Sequence, residues 1–299
     1  MGCTFELGVV HTSETMAQEY FQIGIKEIQR IEALLSEFLE DSVTSTINRN
    51  AADHEVVLPS EVFQLIKRCL QLSQLTRGHF DITIGPLKAL YHFNKEEQVI
   101  PPKDIIKKQL EKVGYQNILL NEEAQTIKFK TKGMRLSFAA IGKGYAADSV
   151  IKLWRQHGLT SAYLNASGDL TAIGTSEKNQ PWHIAISDPD QPTNALLHVP
   201  LKDSSIATSG DYEQFLLYRG KKYSHTLHPK TGYPVELVKS VSVCSPSAEL
   251  SDALATTLHV MGPKKGISFI DQLPQTHAIM IDEKNEIHFS KHLDYEAVS

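Results

Sequence analysis

Six strand-like segments follow one another in the second half of the chain, with no helix between them. Predicted helices flank this run, over Lys143–His157, which Gly158 closes, and over about Ser247–Met261. A doubly wound parallel sheet requires regular alternation of strand and helix, so this pattern predicts an α+β fold or a mixed sheet instead. No repeat, low-complexity tract or linker interrupts the sequence, which predicts a single domain over residues 1–299. The segments span residues 161–165, 169–173, 182–187, 196–201, 214–218 and 239–244.

The first half of the chain predicts helices that lie on a sheet. A strand over residues 3–11 precedes a helix from Ser13, whose apolar stripe is spaced by fours and threes. A second helix runs from Ser60 to near Gly78, and a polar loop over His79–Leu87 follows it. The stripe consists of Ala17, Phe21, Gly24, Ile28, Ile31, Leu35 and Phe38. The later predicted elements are a hairpin of residues 116–120 and 125–130 and a buried strand over Arg135–Ile141.

Charge and cysteine content exclude several classes of protein. The chain carries 30 Lys and Arg against 35 Asp and Glu, a net charge of −5, and its lysines are scattered, so we expect no nucleic-acid binding. No window approaches the roughly 18 uninterrupted apolar residues of a membrane span. Cys3, Cys69 and Cys244 lie far apart in apolar surroundings, which predicts reduced core residues rather than nucleophiles.

A strand, a glycine turn and a helix meet in the sequence AAIGKGYAAD, residues 139–148. Glycine lets the backbone approach a ligand, the helix N-terminus offers N–H donors, and Lys143 adds positive charge, so a phosphate group could bind here. Gly142, Gly144 and Ala147 also fit the weak dinucleotide fingerprint G-x-G-x-x-A, although the βαβ order around it is poor. A plain tight turn is the third interpretation, and the spacing alone leaves all three open.

Asp252 and Thr256 lie four residues apart on the last predicted long helix and therefore share one face. A carboxylate and a hydroxyl on one turn are hard oxygen ligands that suit Mg²⁺ or Ca²⁺. Alternatively, Asp252 is simply favoured near the start of the helix, and Thr256 bonds to a backbone carbonyl. The spacing does not decide between these two interpretations.

The segment SIATSGDYEQFLLYRGKKYSHTLHPKTGYPV, residues 205–235, interrupts its short apolar runs with groups typical of phosphate and metal chemistry. His225 and His228 could bind zinc, but no Cys-x-x-Cys or His-Glu-x-x-His pattern offers a third ligand. One of the two could be a general base, or His225 could be a strand residue held by a hydrogen bond. No G-x-S-x-G elbow is present, which argues against a serine hydrolase.

Eight segments, in the family's order and at similar intervals, resemble the ApbE family of FAD:protein FMN transferases. The resemblance covers nearly the whole chain. It implies an α+β fold with a mixed, mainly antiparallel sheet packed with helices, related to the T-fold. The segments are MGCTFEL, LLSEFLEDSVTSTINR, GHFDITIGPL, FAAIGKGYAAD, YLNASGDL, IATSGDYEQF, YSHTLHPKTGYPV and SDALATTLHVMG.

The resemblance implies a Mg²⁺-dependent reaction that splits FAD, releases AMP and attaches FMN through a phosphoester bond to a Thr or Ser of a target flavoprotein. It assigns the metal to Asp252, Thr256 and the backbone carbonyl of Gly142. His225 would take the proton of the acceptor hydroxyl. Such a scheme is coherent because phosphoryl transfer needs a cation on the phosphate oxygens, an in-line nucleophile and a base. The residues expected to position FAD are Asn48, Lys143, Asp148, Ser209 and Asp211.

Three motifs depart from the pattern that is usual in this family. AAIGKG replaces the common GGIAKG, which predicts a looser turn that still supplies a carbonyl ligand. Ser167 replaces the first glycine of a Gly-Gly-Asp motif, and His228 replaces the Asp of a D-P-x-T-G turn. His228 would either add a second titratable group to the site or cap its turn.

Two other functions fit the same motifs. Some members of this family hydrolyse FAD, so an FAD pyrophosphatase giving FMN and AMP is one alternative, and a non-catalytic flavin-binding protein is the other. Residues 41–47 begin like an acceptor motif but place Ile47 where the hydroxyl belongs, so self-flavinylation is not expected. Family members are often exported lipoproteins. Without a signal peptide, the chain as given is expected in the cytoplasm, or in the periplasm or on a membrane if a leader has been removed.

Overall fold

The computed structural model describes residues 2–93, 99–210 and 215–297. The chain forms two compact units, and the single domain over residues 1–299 stays a prediction. Unit 1 comprises Met1–Ile31, Ile141–Tyr212 and Leu237–Ser299, and unit 2 comprises Glu32–Ala140 and Glu213–Glu236.

The strands from Ala162 to Ser245 cluster between the helices Gly142–Gln156 and Ala248–Met261, as the sequence predicted. The helices are α1 (Glu14–Leu35), α2 (Val43–Asn50), α3 (Ser60–Leu75), α4 (Gly85–Lys88), α5 (Lys103–Leu110), α6 (Gly142–Gln156), α7 (Ala248–Met261) and α8 (Pro263–Ile270). The strands are β1 (Phe5–Val9), β2 (Val56–Val57), β3 (Ile118–Asn121), β4 (Thr126–Phe129), β5 (Ala162–Ala166), β6 (Asp169–Ile173), β7 (Trp182–Ser187), β8 (Ala195–Leu201), β9 (Ser204–Gly210), β10 (Phe215–Tyr218), β11 (Lys221–Ser224), β12 (Val238–Ser245), β13 (His277–Asp282), β14 (Ile287–Phe289) and β15 (Glu296–Ala297). None of the described helices combines the length and the apolar character that crossing a membrane requires.

Unit 1 is built on a seven-stranded sheet in the order β1-β5-β6-β9-β12-β13-β14. Every neighbouring pair in this sheet is antiparallel. Helices α6 and α7 contact each other and the sheet. Trp154 of α6 is fully buried beside Leu164 of β5, and its indole N–H donates to the carbonyl oxygen of Tyr20 at 2.8 Å. The predicted α+β fold with a mainly antiparallel sheet is confirmed.

A smaller sheet of unit 1 has the order β15-β8-β7. Its apolar side chains Ile186, Leu197 and Val199 form one core cluster with Ile206 of β9 and Cys244 of β12. The alternation of buried residues along β8 is the pattern of a strand with one face on a core.

Unit 2 contains a three-stranded sheet in the order β2-β4-β3 and a separate hairpin of β10 and β11. The pairing of β3 with β4 confirms the hairpin predicted for residues 116–120 and 125–130. A core cluster consists of Leu87, Tyr91, Ile106, Leu216 and Leu227.

Helix α1 ends before the last member of its predicted apolar stripe. The Ser36 hydroxyl oxygen accepts hydrogen bonds from the backbone N–H groups of Phe38 (3.1 Å) and Leu39 (3.2 Å), which hold the chain in a turn after Leu35. Phe38 is 90% exposed, so its assignment to the core was wrong.

Two further segments differ from the prediction. Residues 79–87, predicted as a loop, include the start of α4, where Pro86 stands in the first turn. Arg135–Ile141 is not a strand. The Asn48 side chain accepts from the N–H of Leu136 at 2.6 Å and donates to its carbonyl oxygen at 3.0 Å, so an amide side chain satisfies the backbone there.

Candidate functional site

Helix α6 begins against the backbone of α7. A Cβ atom on Gly144 would lie 2.1 Å from the carbonyl oxygen of Ala248, so this position requires glycine. The N–H of Gly144 donates to Oδ2 of Asp252 at 3.0 Å. The predicted glycine turn therefore permits a close approach of two helices, and it directs an N–H group of a helix N-terminus at a carboxylate.

Asp252 is a buried acid with a strongly perturbed pKa. Burial and the negative charge of Asp169 raise the pKa of Asp252 to about 7, although the ammonium of Lys143 and the N–H groups of Gly144 and Lys143 lower it. Thr256 lies one turn further along α7 and is half-buried. Gly142 stands two residues before the amide that binds Asp252. The structure thus places these predicted metal ligands at the start of α6 and on one face of α7.

Asp169 is a site residue to which no role was assigned from the sequence. Its Oδ2 lies 2.5 Å from Nζ of Lys143, and its Oδ1 accepts from the N–H of Thr208 at 2.9 Å. Burial raises the pKa of Asp169, and the nearby Lys143 lowers it. An acid that begins a strand directly after the Ser167-Gly168 turn was the only sequence signal for this residue.

Asp148, predicted to position FAD, caps helix α7. Its carboxylate accepts from Ser247 Oγ at 2.7 Å and from the N–H groups of Ala248 and Glu249, both at 2.9 Å. A negative charge at this helix N-terminus stabilises the helix that carries Asp252.

Ser209 is tied to a buried histidine that sequence reasoning overlooked. Nε2 of His259 lies 3.0 Å from the carbonyl oxygen of Val238, which can only accept, so Nε2 carries a proton. In the neutral imidazole, Nδ1 then accepts the hydroxyl proton of Ser209 at 3.0 Å. The Ser209 oxygen keeps lone pairs for a ligand donor. Asp211, the other predicted residue of this motif, lies outside the described residues.

Each predicted site residue of unit 2 has its own contacts within that unit. Asn48 is held by its two hydrogen bonds to Leu136. The half-buried ring of His225 stands edge-on to Phe93, with 6.4 Å between the ring centroids. Nδ1 of His228 accepts from the N–H of Lys230 at 3.1 Å, which is the turn-capping contact anticipated for this histidine.

A different group of possible metal ligands occurs among the described residues. Ligand atoms of Asp282, Glu286 and His288 all lie within 4.8 Å of one another. Asp282 Oδ1 accepts from the N–H groups of Lys284 and Glu286, both at 2.9 Å, and its Oδ2 binds Nε2 of His288, also at 2.9 Å. This hydrogen bond to His288 lowers the pKa of Asp282. These hydrogen bonds close the turn between β13 and β14. They explain why the three side chains lie together, so a bound metal ion is not needed to explain the cluster.

The sequence and the fold of the chain match a known family of proteins. The sequence profile of the ApbE family matches residues 1–281, and the chain belongs to this family. The FAD:protein FMN transferase of Klebsiella pneumoniae is 30% identical over 289 residues, which cover 96% of this chain and 88% of that protein. The protein of the same name from Treponema pallidum is 29% identical, over 85% of this chain and 74% of its own length.

Solved structures of ApbE proteins share the fold. The ApbE protein of Thermotoga maritima superimposes with a TM-score of 0.89 at 27% identity, covering 97% of this chain and 94% of that one. The flavinyl transferase ApbE of Pseudomonas stutzeri superimposes with a TM-score of 0.86 at 26% identity, covering 97% and 92% of the two chains. The suspected family membership is confirmed.

Proposed function

We propose that this chain is a Mg²⁺-dependent FAD:protein FMN transferase, and that residues 1–299 act as one domain in this function. The relatives from Klebsiella pneumoniae and Treponema pallidum carry that name. One observation carries the proposal at the level of residues. The buried carboxylate of Asp252 is bound by N–H groups at the N-terminus of α6, so this helix start and the ammonium of Lys143 bring positive charge to the place that we assign to the pyrophosphate.

The donor set in unit 1 fits Mg²⁺. Asp252 and Asp169 bring two buried carboxylates to a single ammonium, that of Lys143, so a divalent cation would offset excess negative charge. We assign the ion to Asp252, Thr256 and the carbonyl oxygen of Gly142, which are hard oxygen donors. When bound, Mg²⁺ supplies charge neutralisation on the phosphate oxygens.

The remaining residues of unit 1 bind and orient FAD. Lys143 and the N-terminus of α6 stabilise the negative charge that develops on the pyrophosphate. The ion pair with Asp169 fixes the ammonium of Lys143. Because the Ser209 hydroxyl donates its hydrogen bond to His259, its oxygen can accept a hydrogen bond from FAD. Asp148 acts through α7. Asp211, together with Asn48 of unit 2, completes the proposed FAD-positioning set.

The reaction balances as a single displacement. The hydroxyl oxygen of the acceptor Thr or Ser bonds to the phosphorus of the FMN half, and the P–O bond to AMP breaks with its electron pair leaving on AMP. His225 takes the acceptor proton as general base. Water in place of the hydroxyl would give FMN and AMP.

Incubation of the protein with FAD, Mg²⁺ and a flavoprotein domain that carries an acceptor Thr tests the proposal. We expect release of AMP together with a mass gain on the target equal to FMN less one water. A target with Val in place of the acceptor Thr is the matched control. AMP and free FMN without an adduct would support the pyrophosphatase, and absence of AMP would support a non-catalytic flavin-binding protein.

A further inference from the structure

The hairpin of β10 and β11 carries aromatic and positively charged side chains to which the proposed reaction gives no role. It is a separate two-stranded sheet within unit 2. Its turn contains Arg219 and Gly220, whose φ angles of 52° and 73° match the tight turn that suits the twist of two paired strands. The turn therefore fixes the register of the two strands.

The two faces of this hairpin have different surroundings. Leu216 belongs to the core cluster of unit 2, and Tyr218 and Tyr223 pack against that cluster. Because side chains alternate along a strand, Phe215 and Lys222 stand on the opposite face. Phe215 is half-buried, and Lys222 is exposed. One face therefore anchors the hairpin, and the other presents a cation beside an aromatic ring.

Each Lys and Arg of the hairpin lies over an aromatic ring. Such cation–π contacts are attractive and hold a long side chain in one place, which lowers the entropy cost of using it in an interface. Arg and aromatic side chains are also the residue types that contribute most to protein–protein binding. The distances from the cationic group to the ring centroid are 4.5 Å for Lys222 and Phe215, 5.1 Å for Lys221 and Tyr223, and 5.2 Å for Arg219 and Tyr218.

The segment 213–236, which contains the hairpin, is positively charged in a negatively charged protein. It holds four Lys and Arg residues against two Glu, a net charge of +2, while the whole chain carries −5. Lys221 is paired with Glu236 at 2.7 Å, and this pair is included in the count. Complementary charge steers association and suppresses wrong partners, so this surface favours an acidic partner.

His225 follows the hairpin directly. Strand β11 ends at Ser224, and His225 is the residue to which we assign the acceptor proton. Three residues of extended chain span about 10 Å, so a partner segment in contact with Lys222 reaches His225 within about three residues of its own. Docking on the hairpin would therefore bring a hydroxyl group of the partner to the proposed base.

We propose that the β10–β11 hairpin is the docking surface for the target flavoprotein, and that it binds an acidic segment of that protein beside the acceptor Thr or Ser. Arg219 and Lys222 bind the carboxylates of this segment, and Phe215 contacts its apolar side chains. The inference rests on the proposed transferase activity, since it names the partner surface of the same site.

The affinity of the chain for the target domain of the transfer assay, measured by titration calorimetry without FAD, tests this proposal. The double variant Arg219→Glu, Lys222→Glu should raise the Kd about tenfold or more at low ionic strength. Arg219→Gln with Lys222→Gln removes the two charges without reversing them and should give a smaller rise. High salt should weaken binding of the domain to the unmodified chain and have little effect on the Glu variant.

Lys264→Glu with Lys265→Glu is the matched control, because both lysines are exposed on α8 in unit 1 and the change of charge is the same. This variant should bind the domain like the unmodified chain. A target domain in which the acidic residues beside the acceptor are changed to Lys should bind better to Arg219→Glu, Lys222→Glu than to the unmodified chain.

An equal Kd in the hairpin variant and in the control would overturn the proposal. A raised KM for FAD with an unchanged Kd for the domain would also overturn it, because that result would assign the two cations to FAD. Since binding is measured without FAD, a chain that binds the domain but transfers no FMN would refute the proposed function and not the docking surface.

Discussion

Replacing Asp252 by Asn removes a buried negative charge and keeps both the size of the side chain and an acceptor for the N–H of Gly144. In the metal-free protein, the pKa of about 7 in the folded state lies above the ordinary value of 3.8. Between these values only the folded chain holds the proton, so the free energy of unfolding falls as the pH rises from about 4 to about 7. Below this window both states are protonated, and above it both are ionised.

The size of the effect follows from the difference between the two pKa values. The difference between the folded-state pKa and the ordinary pKa of Asp252 corresponds to about 4 kcal/mol in the free energy of unfolding. Since the entropy of unfolding is about 2.1 cal/mol/K per residue, a chain of 299 residues should lose about 6 °C in melting temperature over this range. A bound Mg²⁺ ion would reverse the loss, because it stabilises the ionised carboxylate.

Thermal unfolding at about pH 5 and about pH 8.5, in EDTA and in Mg²⁺, measures this effect. In EDTA the unmodified chain should lose about 6 °C more than Asp252→Asn between the two pH values. Mg²⁺ should raise the melting temperature of the unmodified chain at the higher pH and leave Asp252→Asn unchanged. The exposed Asp294→Asn is the control and should behave like the unmodified chain. An equal pH dependence and an equal Mg²⁺ response in Asp252→Asn would refute the reasoning.

Three other substitutions test single contacts. Lys143→Met leaves Asp169 buried without its cation and should lower the free energy of unfolding by about 3 kcal/mol in urea denaturation, whereas adding Asp169→Asn should recover most of the loss. If the double variant were as unstable as Lys143→Met, the loss would not come from the unpaired Asp169 carboxylate. His225→Gln should lower kcat by about 10²-fold to 10⁴-fold with the KM for FAD unchanged, as expected for a general base, and a change in KM alone would contradict this role. His259→Phe removes both hydrogen bonds of the imidazole and should lower the free energy of unfolding by about 2 kcal/mol while raising the KM for FAD. Nitrogen chemical shifts of His259 should show the proton on Nε2, and a proton on Nδ1 would exclude the assigned role of Ser209.

Elements with strong local patterns were predictable from the sequence. Helix α6 has a closing glycine with positive φ at Gly158, and α7 has Ser247 as its N-cap, which accepts from the N–H of Leu250. Strand β9 was not predicted because Ser-Ser-Ile-Ala-Thr-Ser-Gly contains mostly small polar residues and lacks a clear apolar alternation. Its burial depends on β6 and β12 on either side. The prediction for segment 135–141 failed for the opposite reason: its apolar residues are buried, but Arg135 pairs with Ile84 in an isolated bridge and not in a strand.

The candidate site was predictable only where one helix or one turn contains the residues. Asp252 and Thr256 share α7, so their spacing was enough to connect them. The pair of Lys143 with Asp169 joins α6 to β6, and the pair of Ser209 with His259 joins β9 to α7. Such contacts depend on how the sheet and helices pack, which no spacing in the sequence reveals.

The mass of a target domain after incubation with FAD, Mg²⁺ and this protein tests the proposed activity most directly. A single FMN adduct on the acceptor Thr, AMP in equal amount, and neither product with Asp252→Asn are the expected results. An unmodified target in the presence of free FMN and AMP would contradict the transferase.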